Sequence, residues 1–249
     1  MGLTVAVLSW GAEKTLYNTL KSYAYFDMTA DQKIALLQEG TPEQESICRY
    51  FRFQPISLPV NIGIARGYSR LLDEAKEENF LFLENDWQLI DYPHAEIKIG
   101  MNLLDAGDVD YIRYRSRSNP GHPLWTRQFE NNEYTRPSHL LDSIHWTDPD
   151  KFIEITSREF KFIRFMDYNL QSDDDFISPP VDTTKWYFTT SKYANWTNNP
   201  HMARTEFLHK YIQPRLGTRD LEVDIQGWWE GSYFRVAQGP GLFTHNRID

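Results

Sequence analysis

Cysteine is almost absent from this sequence, in which Cys48 is the single example. An intramolecular disulfide is therefore impossible. This agrees with a reducing compartment, so we expect a cytoplasmic protein. Long apolar runs are missing as well, because no stretch approaches the roughly 18 residues that a membrane-spanning helix needs. Residues 3–8, the first apolar stretch, are too few for a signal peptide and lack its basic flank, so we expect neither secretion nor a membrane-spanning segment.

Positively charged residues are fewer than negatively charged ones. The 26 lysines and arginines are outnumbered by 35 aspartates and glutamates, which gives a formal net charge of -9. A surface of this sign repels nucleic acids and anionic membranes at long range, so we expect neither as the main partner. An anionic ligand would need local compensation, which a bound divalent cation supplies.

Two glycine-rich phosphate-binding patterns are missing. Gly63 and Gly67 do not complete the three-glycine dinucleotide fingerprint, and no Gly-x-x-x-x-Gly-Lys-Ser/Thr loop occurs. Rossmann dehydrogenases and P-loop kinases are therefore disfavoured. With 249 residues and 41% hydrophobic content, the chain is nevertheless long enough to bury a substantial core, and one folded unit is the default.

Alternating strand and helix patterns fill the first third of the sequence. Residues 3–8 form an apolar, β-branched run, and residues 13–25 carry apolar side chains at helical spacing. Residues 31–45 are polar and receive no predicted element, whereas residues 56–75 predict a second strand and helix. Residues 80–83 are apolar throughout, as in a strand covered on both faces of a parallel sheet. These units predict an α/β fold with a doubly wound, mainly parallel sheet.

The remaining two thirds are less regular. Residues 110–114 and 186–190 predict strands, and residues 202–212 carry apolar side chains at helical spacing. Residues 116–150 are rich in proline, asparagine, histidine and arginine and predict a long loop region. Residues 152–165 predict a strand, or a short helix followed by a strand.

A pair of carboxylates ends the strand at residues 80–83. Ligands of open parallel sheets bind beyond the carboxyl ends of the strands, and residues two apart in an extended chain point the same way. Glu84 and Asp86 are therefore candidate ligands of one hard cation, Mg²⁺ or Mn²⁺, whose other positions water and diphosphate oxygens would fill. The tripeptide Glu84-Asn85-Asp86 is a candidate metal and diphosphate site, and a simple polar turn is the alternative.

The order of these segments resembles that of GT-A fold glycosyltransferases, especially the family-2 type and related enzymes from large DNA viruses. The pieces that carry the resemblance are residues 3–23, an Asn-x-Gly segment with its helix at residues 61–67, and the strand and carboxylates at residues 80–86. The resemblance implies a GT-A sheet flanked by helices in one domain, residues 1–249. Residues 1–100 would form its nucleotide-binding half and residues 101–249 its acceptor-binding half.

The resemblance also implies a set of metal ligands. Asp86 matches the metal-binding aspartate of the family, whereas Glu84 stands where the first aspartate is usual and is expected to act through water or from outside the direct ligands. The Gly-rich segment that ends in His245 resembles the C-terminal histidine that these enzymes use as a further ligand, and imidazole suits Mn²⁺. Judged without the resemblance, His245 reads as an ordinary surface histidine.

Nucleotide contacts follow from the same resemblance. The implied residues around a uridine-like nucleotide are Leu8, Ser9, Trp10 and Glu13. Asn61 and Gly63, in the segment before the next helix, and Arg66 within that helix are further candidates for contacts with it. Trp10 either stacks on the base or packs in the core. Gly63 lacks a Cβ and lets the backbone approach the nucleotide, and Arg66 either reaches a phosphate or is an ordinary exposed helix residue.

A catalytic base is expected in the second half of the chain. Inverting transfer needs a carboxylate that removes the proton of the acceptor hydroxyl. Residues 220–230 resemble the segment that carries this base, with Glu222 in the closest register and Asp224 under a shifted one. Acidic residues at the start of an ordinary solvated helix are the alternative.

These features lead to one hypothesis and two rivals. The hypothesis is a metal-dependent, inverting glycosyltransferase that moves a sugar from a nucleotide donor, expected to be a UDP-sugar, to a glycan or another hydroxyl acceptor. One rival is a non-catalytic carbohydrate-binding protein on the same fold. The other is a sugar-phosphate nucleotidyltransferase, although its Gly-rich triphosphate loop after the first strand is missing. The sequence leaves the sugar, the acceptor and the oligomeric state open.

Overall fold

A computed structural model of the chain describes residues 1–116, 119, 121, 166–167, 186–191, 194, 196–217 and 221–248. Ten strands within these ranges form one mixed sheet. Helices pack on both of its faces, in agreement with the α/β fold that the sequence predicts. The predictions for residues 116–150 and 152–165 fall almost entirely outside the described residues.

The first half of the chain alternates strands and helices. Its elements are β1 (Leu3–Trp10), α1 (Glu13–Tyr25), β2 (Gln32–Gln38), α2 (Pro42–Tyr50), β3 (Gln54–Leu58), α3 (Ile64–Glu74) and β4 (Asn79–Glu84). The strands lie side by side in the order β3, β2, β1, β4 and are all parallel. Parallel strands need crossover connections, which α1, α2 and α3 provide. The carboxyl ends of these four strands therefore meet at one edge of the sheet.

One strand and one helix of this half were not predicted. The polar segment at residues 31–45 contains β2 and the start of α2. Four fully buried residues form the centre of β2: Ile34, Ala35, Leu36 and Leu37. Polar residues on both sides dilute this short apolar run in the sequence. The start of α2 is fixed by Thr41 and Gln44, which bond each other's backbone N–H in a capping box.

The second half adds strands of both directions. Its elements are β5 (Trp87–Leu89), α4 (His94–Asp105), β6 (Tyr111–Arg115), β7 (Met166–Asp167), β8 (Tyr187–Thr190), β9 (His201–Arg204), α5 (Leu221–Ser232) and β10 (Arg235–His245). Between β9 and α5 the chain forms a helical turn, a π-helix and a 3₁₀ turn. The sheet continues from β4 in the order β9, β6, β10, β8, β7, and β5 pairs with β10. The predicted strands at residues 110–114 and 186–190 agree with β6 and β8 to within one residue.

The predicted helix at residues 202–212 is wrong at its start, where the chain forms β9. This strand lies between β4 and β6 and is antiparallel to both. Met202 packs in the core on one face of the sheet and Ala203 in the core on the other, as the alternation of a strand requires. Residues 201–204 form a strand because they pair with β4 and β6, although the apolar residues that begin at Met202 have helical spacing.

Two hydrophobic cores cover the two faces of the sheet. One is formed with α1, α2 and α4, and the other with α3 and α5. In the second core the ring of His201 is stacked against the rings of Tyr68 and Tyr111 and lies 3.1 Å from the Tyr68 hydroxyl. Burial lowers the pKa of His201 to about 3, so this imidazole is neutral at physiological pH.

Close packing of α3 fixes the end of β1. A Cβ on Gly67 would come within 2.7 Å of a methyl carbon of Leu8, so glycine at this position lets the helix approach the strand. The contact holds the residues that end β1 against the start of α3, and both lie at the carboxyl edge of the sheet.

No helix within the described ranges combines the length and the apolar character that crossing a bilayer requires.

Candidate metal and nucleotide site

The two strongest metal-ligand candidates meet at the carboxyl edge of the sheet. β4 ends at Glu84, and Asn85 and Asp86 form a turn into β5. Asp86 Oδ2 lies 3.1 Å from His245 Nε2, and the Asp86 and His245 side chains are 14% and 21% exposed. The backbone joins the same two segments, because the Asn246 N–H donates to the Asp86 carbonyl at 2.7 Å.

Antiparallel pairing of β5 with β10 produces this contact. His245 lies opposite Trp87 in the pairing. Because Asp86 directly precedes Trp87 in the chain, this pairing places His245 beside Asp86. The Trp87 ring meets the imidazole edge to face, with ring centres 5.0 Å apart. Two further contacts hold Trp87, because Tyr23 donates its hydroxyl to the Trp87 carbonyl at 2.7 Å and the Arg115 guanidinium lies 5.2 Å from the indole centre.

Buried polar atoms without hydrogen-bond partners within the described residues occur near this pair. Three of them are Ser9 Oγ, Asn85 Nδ2 and Asp86 Oδ1. Ser9 follows Leu8, whose carbonyl accepts the Asn85 N–H at 3.0 Å, so the three residues are neighbours at the ends of β1 and β4. A buried polar group without a partner costs about 1–3 kcal/mol, and such groups are rare in folded proteins. Three such atoms at neighbouring strand ends make this edge of the sheet a candidate ligand site.

Glu84 is not part of this pair. The described residues hold no group of three or more His, Cys, Asp or Glu side chains arranged for a metal ion. The expectation that Glu84 and Asp86 point the same way assumed an extended chain, but the strand ends at Glu84 and the next two residues turn. A carboxylate and an imidazole are suitable ligands for Mn²⁺, and water and phosphate oxygens would supply the rest.

The predicted nucleotide loop lies beside these residues. Leu8 and Ser9 are buried at the end of β1, whereas Trp10 is 54% exposed, so the alternative of core packing for Trp10 is excluded. The Trp10 indole N–H donates to Glu39 Oε2 at 2.8 Å. This bond fixes the ring while leaving much of its surface accessible to a ligand.

The Asn-x-Gly segment forms the start of α3. Asn61 Oδ1 accepts the Gly63 N–H at 2.8 Å, and Gly63 has a φ of 82°, a conformation that favours glycine. A Cβ built on Gly63 would meet no atom within 4 Å, so the space above this residue is open. Arg66 is exposed one turn into α3 and makes no salt bridge with a described residue.

Of the two candidate bases, Glu222 has the better-defined position. It lies half-buried in the first turn of α5, and its Oε1 accepts the Thr197 hydroxyl at 3.0 Å and the Asn198 N–H at 2.7 Å. Residues 197–200 lead into β9, whose His201 pairs with Phe82 near the end of β4. Glu222 therefore lies at the same edge of the sheet as Asp86.

Asp224 is exposed in the same helix. A Cβ on Gly217 would collide with the Asp224 carboxylate, so this side chain lies against the loop that precedes α5. Two hydrogen bonds hold Glu222, whereas Asp224 faces solvent and this loop.

Sequence reasoning missed Trp87 and Glu96. Trp87 orients His245, and the alternation of Trp87 and Leu89 around Gln88 was a signal of a short strand after the turn. Glu96 contacts the glycine-rich part of β10 and carried no sequence signal, because a single glutamate in an amphipathic helix is ordinary.

Comparison with solved structures identifies the fold. S. aureus TarS, residues 1–349, matches with a TM-score of 0.58 at 14% identity over 99% of this chain and 60% of that one. M. tuberculosis glucosyl-3-phosphoglycerate synthase in complex with Mn²⁺, UDP and glucosyl-3-phosphoglycerate matches with a TM-score of 0.53 at 13% identity over 100% of this chain and 73% of that one. These neighbours are GT-A glycosyltransferases of family-2 type, so the predicted GT-A fold is confirmed.

No protein-family model and no curated protein matches the chain. The chain spans about 60% of the TarS fragment and 37% of a longer TarS structure, which it matches with a TM-score of 0.57 at 14% identity. The relation to enzymes of large DNA viruses stays a prediction.

Proposed function

We propose that the chain is a metal-dependent, inverting glycosyltransferase that uses a nucleotide donor, a UDP-sugar, and a glycan or other hydroxyl acceptor. The observation that carries the proposal is the contact of Asp86 with His245 beside buried atoms of Ser9 and Asn85 that have no hydrogen-bond partner among the described residues. The presence of Mn²⁺ and UDP in the M. tuberculosis synthase of the same fold supports it.

Asp86 and His245 are the residues that would hold Mn²⁺ or Mg²⁺. Asp86 Oδ1 has no hydrogen-bond partner within the described residues, and His245 contributes a ring nitrogen that binds a metal when it is neutral. The bound ion would act as a Lewis acid on the leaving diphosphate. Trp87 keeps the imidazole in place by its edge-to-face contact.

The nucleotide would lie along the ends of β1, β3 and β4. The exposed Trp10 ring is a stacking surface for the base, and the buried Ser9 hydroxyl and Asn85 amide are available for hydrogen bonds to the donor. Gly63 leaves room for close approach, and Arg66 provides a positive charge at the start of α3 for a phosphate.

Glu222 is the proposed base. Its carboxylate would take the proton of the acceptor hydroxyl while that oxygen bonds to the anomeric carbon and the bond to the diphosphate breaks. Hydrogen bonds from Thr197 and Asn198 hold the carboxylate in one orientation, which an efficient proton acceptor requires. Asp224 remains the alternative base.

The proposal is tested by assaying nucleotide release from a panel of nucleotide sugars. We expect release from at least one UDP-sugar with Mn²⁺ present, loss of release with EDTA, and recovery when Mn²⁺ is restored in excess. Calorimetry with sugars alone and with UDP supplies the contrast. A sugar affinity that neither UDP nor EDTA changes, together with no turnover of any donor, would support the carbohydrate-binding alternative instead.

A further inference from the structure

β10 reaches the candidate site through a bulge. Its pairing with β6 shifts between Gln238 and Phe243, and Gly241 has a φ of 85°. Five residues of β10 thus advance against two of β6, and extra residues in a strand bend it and re-aim the side chains that follow. The strand beyond the bulge pairs with β5 and brings His245 opposite Trp87. The bulge therefore determines which residue of β10 faces Asp86.

Glu96 of α4 bonds to this bulge from one side. Its Oε1 accepts the Gly241 N–H at 2.9 Å, and a Cβ on Gly239 would come within 2.9 Å of the same oxygen. From the other side, a Cβ on Gly241 would collide with the carbonyl oxygen of Arg115. The bulge thus packs closely between α4 and β6 at both glycines, and the Glu96 side chain supplies the acceptor for the Gly241 N–H.

The surroundings of Glu96 are unfavourable for a charge. Burial raises the pKa of this carboxyl to about 7, against the weaker opposing effect of the Gly241 N–H, and the Asp91 carboxylate raises it further. Among the described residues, Tyr114 of β6 also faces Glu96, and its pKa is raised by burial and by the Glu96 carboxylate. Burial of an ionisable carboxyl group lowers the stability of the folded state. Its presence at this position therefore indicates that the hydrogen bond to Gly241 is needed.

Stability is therefore expected to depend on the ionisation of Glu96. Because its pKa is raised in the folded state from an ordinary value of 4.5 to about 7, its contribution to folding is complete below pH 4.5 and is lost as the pH rises through 7. Glu96→Gln keeps the acceptor and cannot ionise. Its melting temperature should equal that of wild type at pH 4.5 and exceed it by about 5 °C at pH 8. Equal melting temperatures at both pH values would contradict the assignment.

We propose that Glu96 is a positioning residue, which holds the β10 bulge in the register that presents His245 to Asp86. The inference deepens the proposed function and rests on it, because Asp86 and His245 are the proposed metal ligands. Glu96 acts through the backbone of Gly241 and does not touch the ion or the donor. Its effect is on the assembly of the site.

The test compares wild type, Glu96→Ala and Glu96→Gln by hydrogen exchange and by Mn²⁺–UDP calorimetry. In Glu96→Ala we expect exchange at residues 243–246 to rise about tenfold, with β1 and β4 unchanged, and Mn²⁺–UDP affinity to fall about tenfold. Glu96→Gln should stay within twofold of wild type in both measurements at pH 6. Unchanged exchange at residues 243–246 in Glu96→Ala, or an equal rise across the whole sheet, would overturn the proposal.

If Glu96→Ala does not fold, the positioning role of Glu96 is tested by comparing wild type with Glu96→Gln. Ionised Glu96 favours opening of the bulge, so at pH 8.5 residues 243–246 should exchange several-fold faster in wild type than in Glu96→Gln, and equally fast at pH 5. Equal exchange at both pH values would refute the role of Glu96. Absence of Mn²⁺–UDP binding by the wild-type protein would contradict the proposed function. The exchange measurements would still test whether Glu96 holds the bulge of β10.

Discussion

Replacing Asp86 with alanine is expected to lower Mn²⁺-supported UDP binding at least ~100-fold and sugar transfer ~1000-fold. The substitution removes one of the two protein ligands proposed for the ion and leaves His245 without its partner at 3.1 Å. Calorimetry with UDP, with and without Mn²⁺, measures the first effect, and donor turnover measures the second. The melting temperature should change little, because one Asp86 oxygen already lacks a partner within the described residues.

The matched control for this experiment is Asp105→Ala. Asp105 makes an exposed salt bridge to Arg204, and such surface pairs contribute about 0–1 kcal/mol. This variant should bind Mn²⁺–UDP and turn over donor as wild type does. Equal activity of Asp86→Ala and Asp105→Ala would rule out Asp86 as a metal ligand.

Glu222→Gln is expected to reduce kcat between ~100-fold and ~10,000-fold while leaving the donor affinity unchanged, because general-base catalysis contributes about this much. Glutamine keeps an oxygen that accepts the Thr197 and Asn198 hydrogen bonds, but it cannot take a proton at neutral pH. The fold around α5 should therefore be preserved. Steady-state transfer with an identified acceptor, together with UDP calorimetry, separates the two effects.

Asp224→Asn is the natural comparison, since it makes the same chemical change two residues further along α5. Because Asp224 is exposed, we expect near wild-type transfer from this variant. The opposite result, with a large loss in Asp224→Asn and little in Glu222→Gln, would assign the base to Asp224 under the shifted register.

The sequence pattern was most informative where one element has one dominant periodicity. α1 occupies the predicted residues 13–25, because apolar side chains at helical spacing face one core and polar ones face solvent. β4 was evident from its continuous apolar run. β2 and β9 were missed for different reasons: β2 has a short apolar centre between polar flanks, and β9 is decided by pairing with strands distant in sequence.

The candidate site was only partly predictable. The contact between Asp86 and His245 depends on the pairing of β5 with β10, so spacing along the chain contains no information about it, and resemblance to a family suggested it instead. The role of Glu84 stays a prediction, because the chain turns after Glu84 and the alignment with Asp86 expected of an extended chain does not apply. Burial of Ser9, exposure of Trp10 and the bond from Gly241 to Glu96 are tertiary facts that no local pattern encodes.

The position of β9 between β4 and β6 has a consequence for how the molecule folds. Within the described residues, β9 is the strand that lies between β4 and β6 in the sheet. The pairs among β1 to β4 join segments within the first 84 residues, whereas β9 must return from residues 201–204 to pair with β4 and β6, and closing such long loops is slow. The nucleotide half is thus expected to gain structure early, and β10 to dock late. Formation of the Asp86–His245 contact would then mark the end of folding, and a partly folded chain would have no metal site.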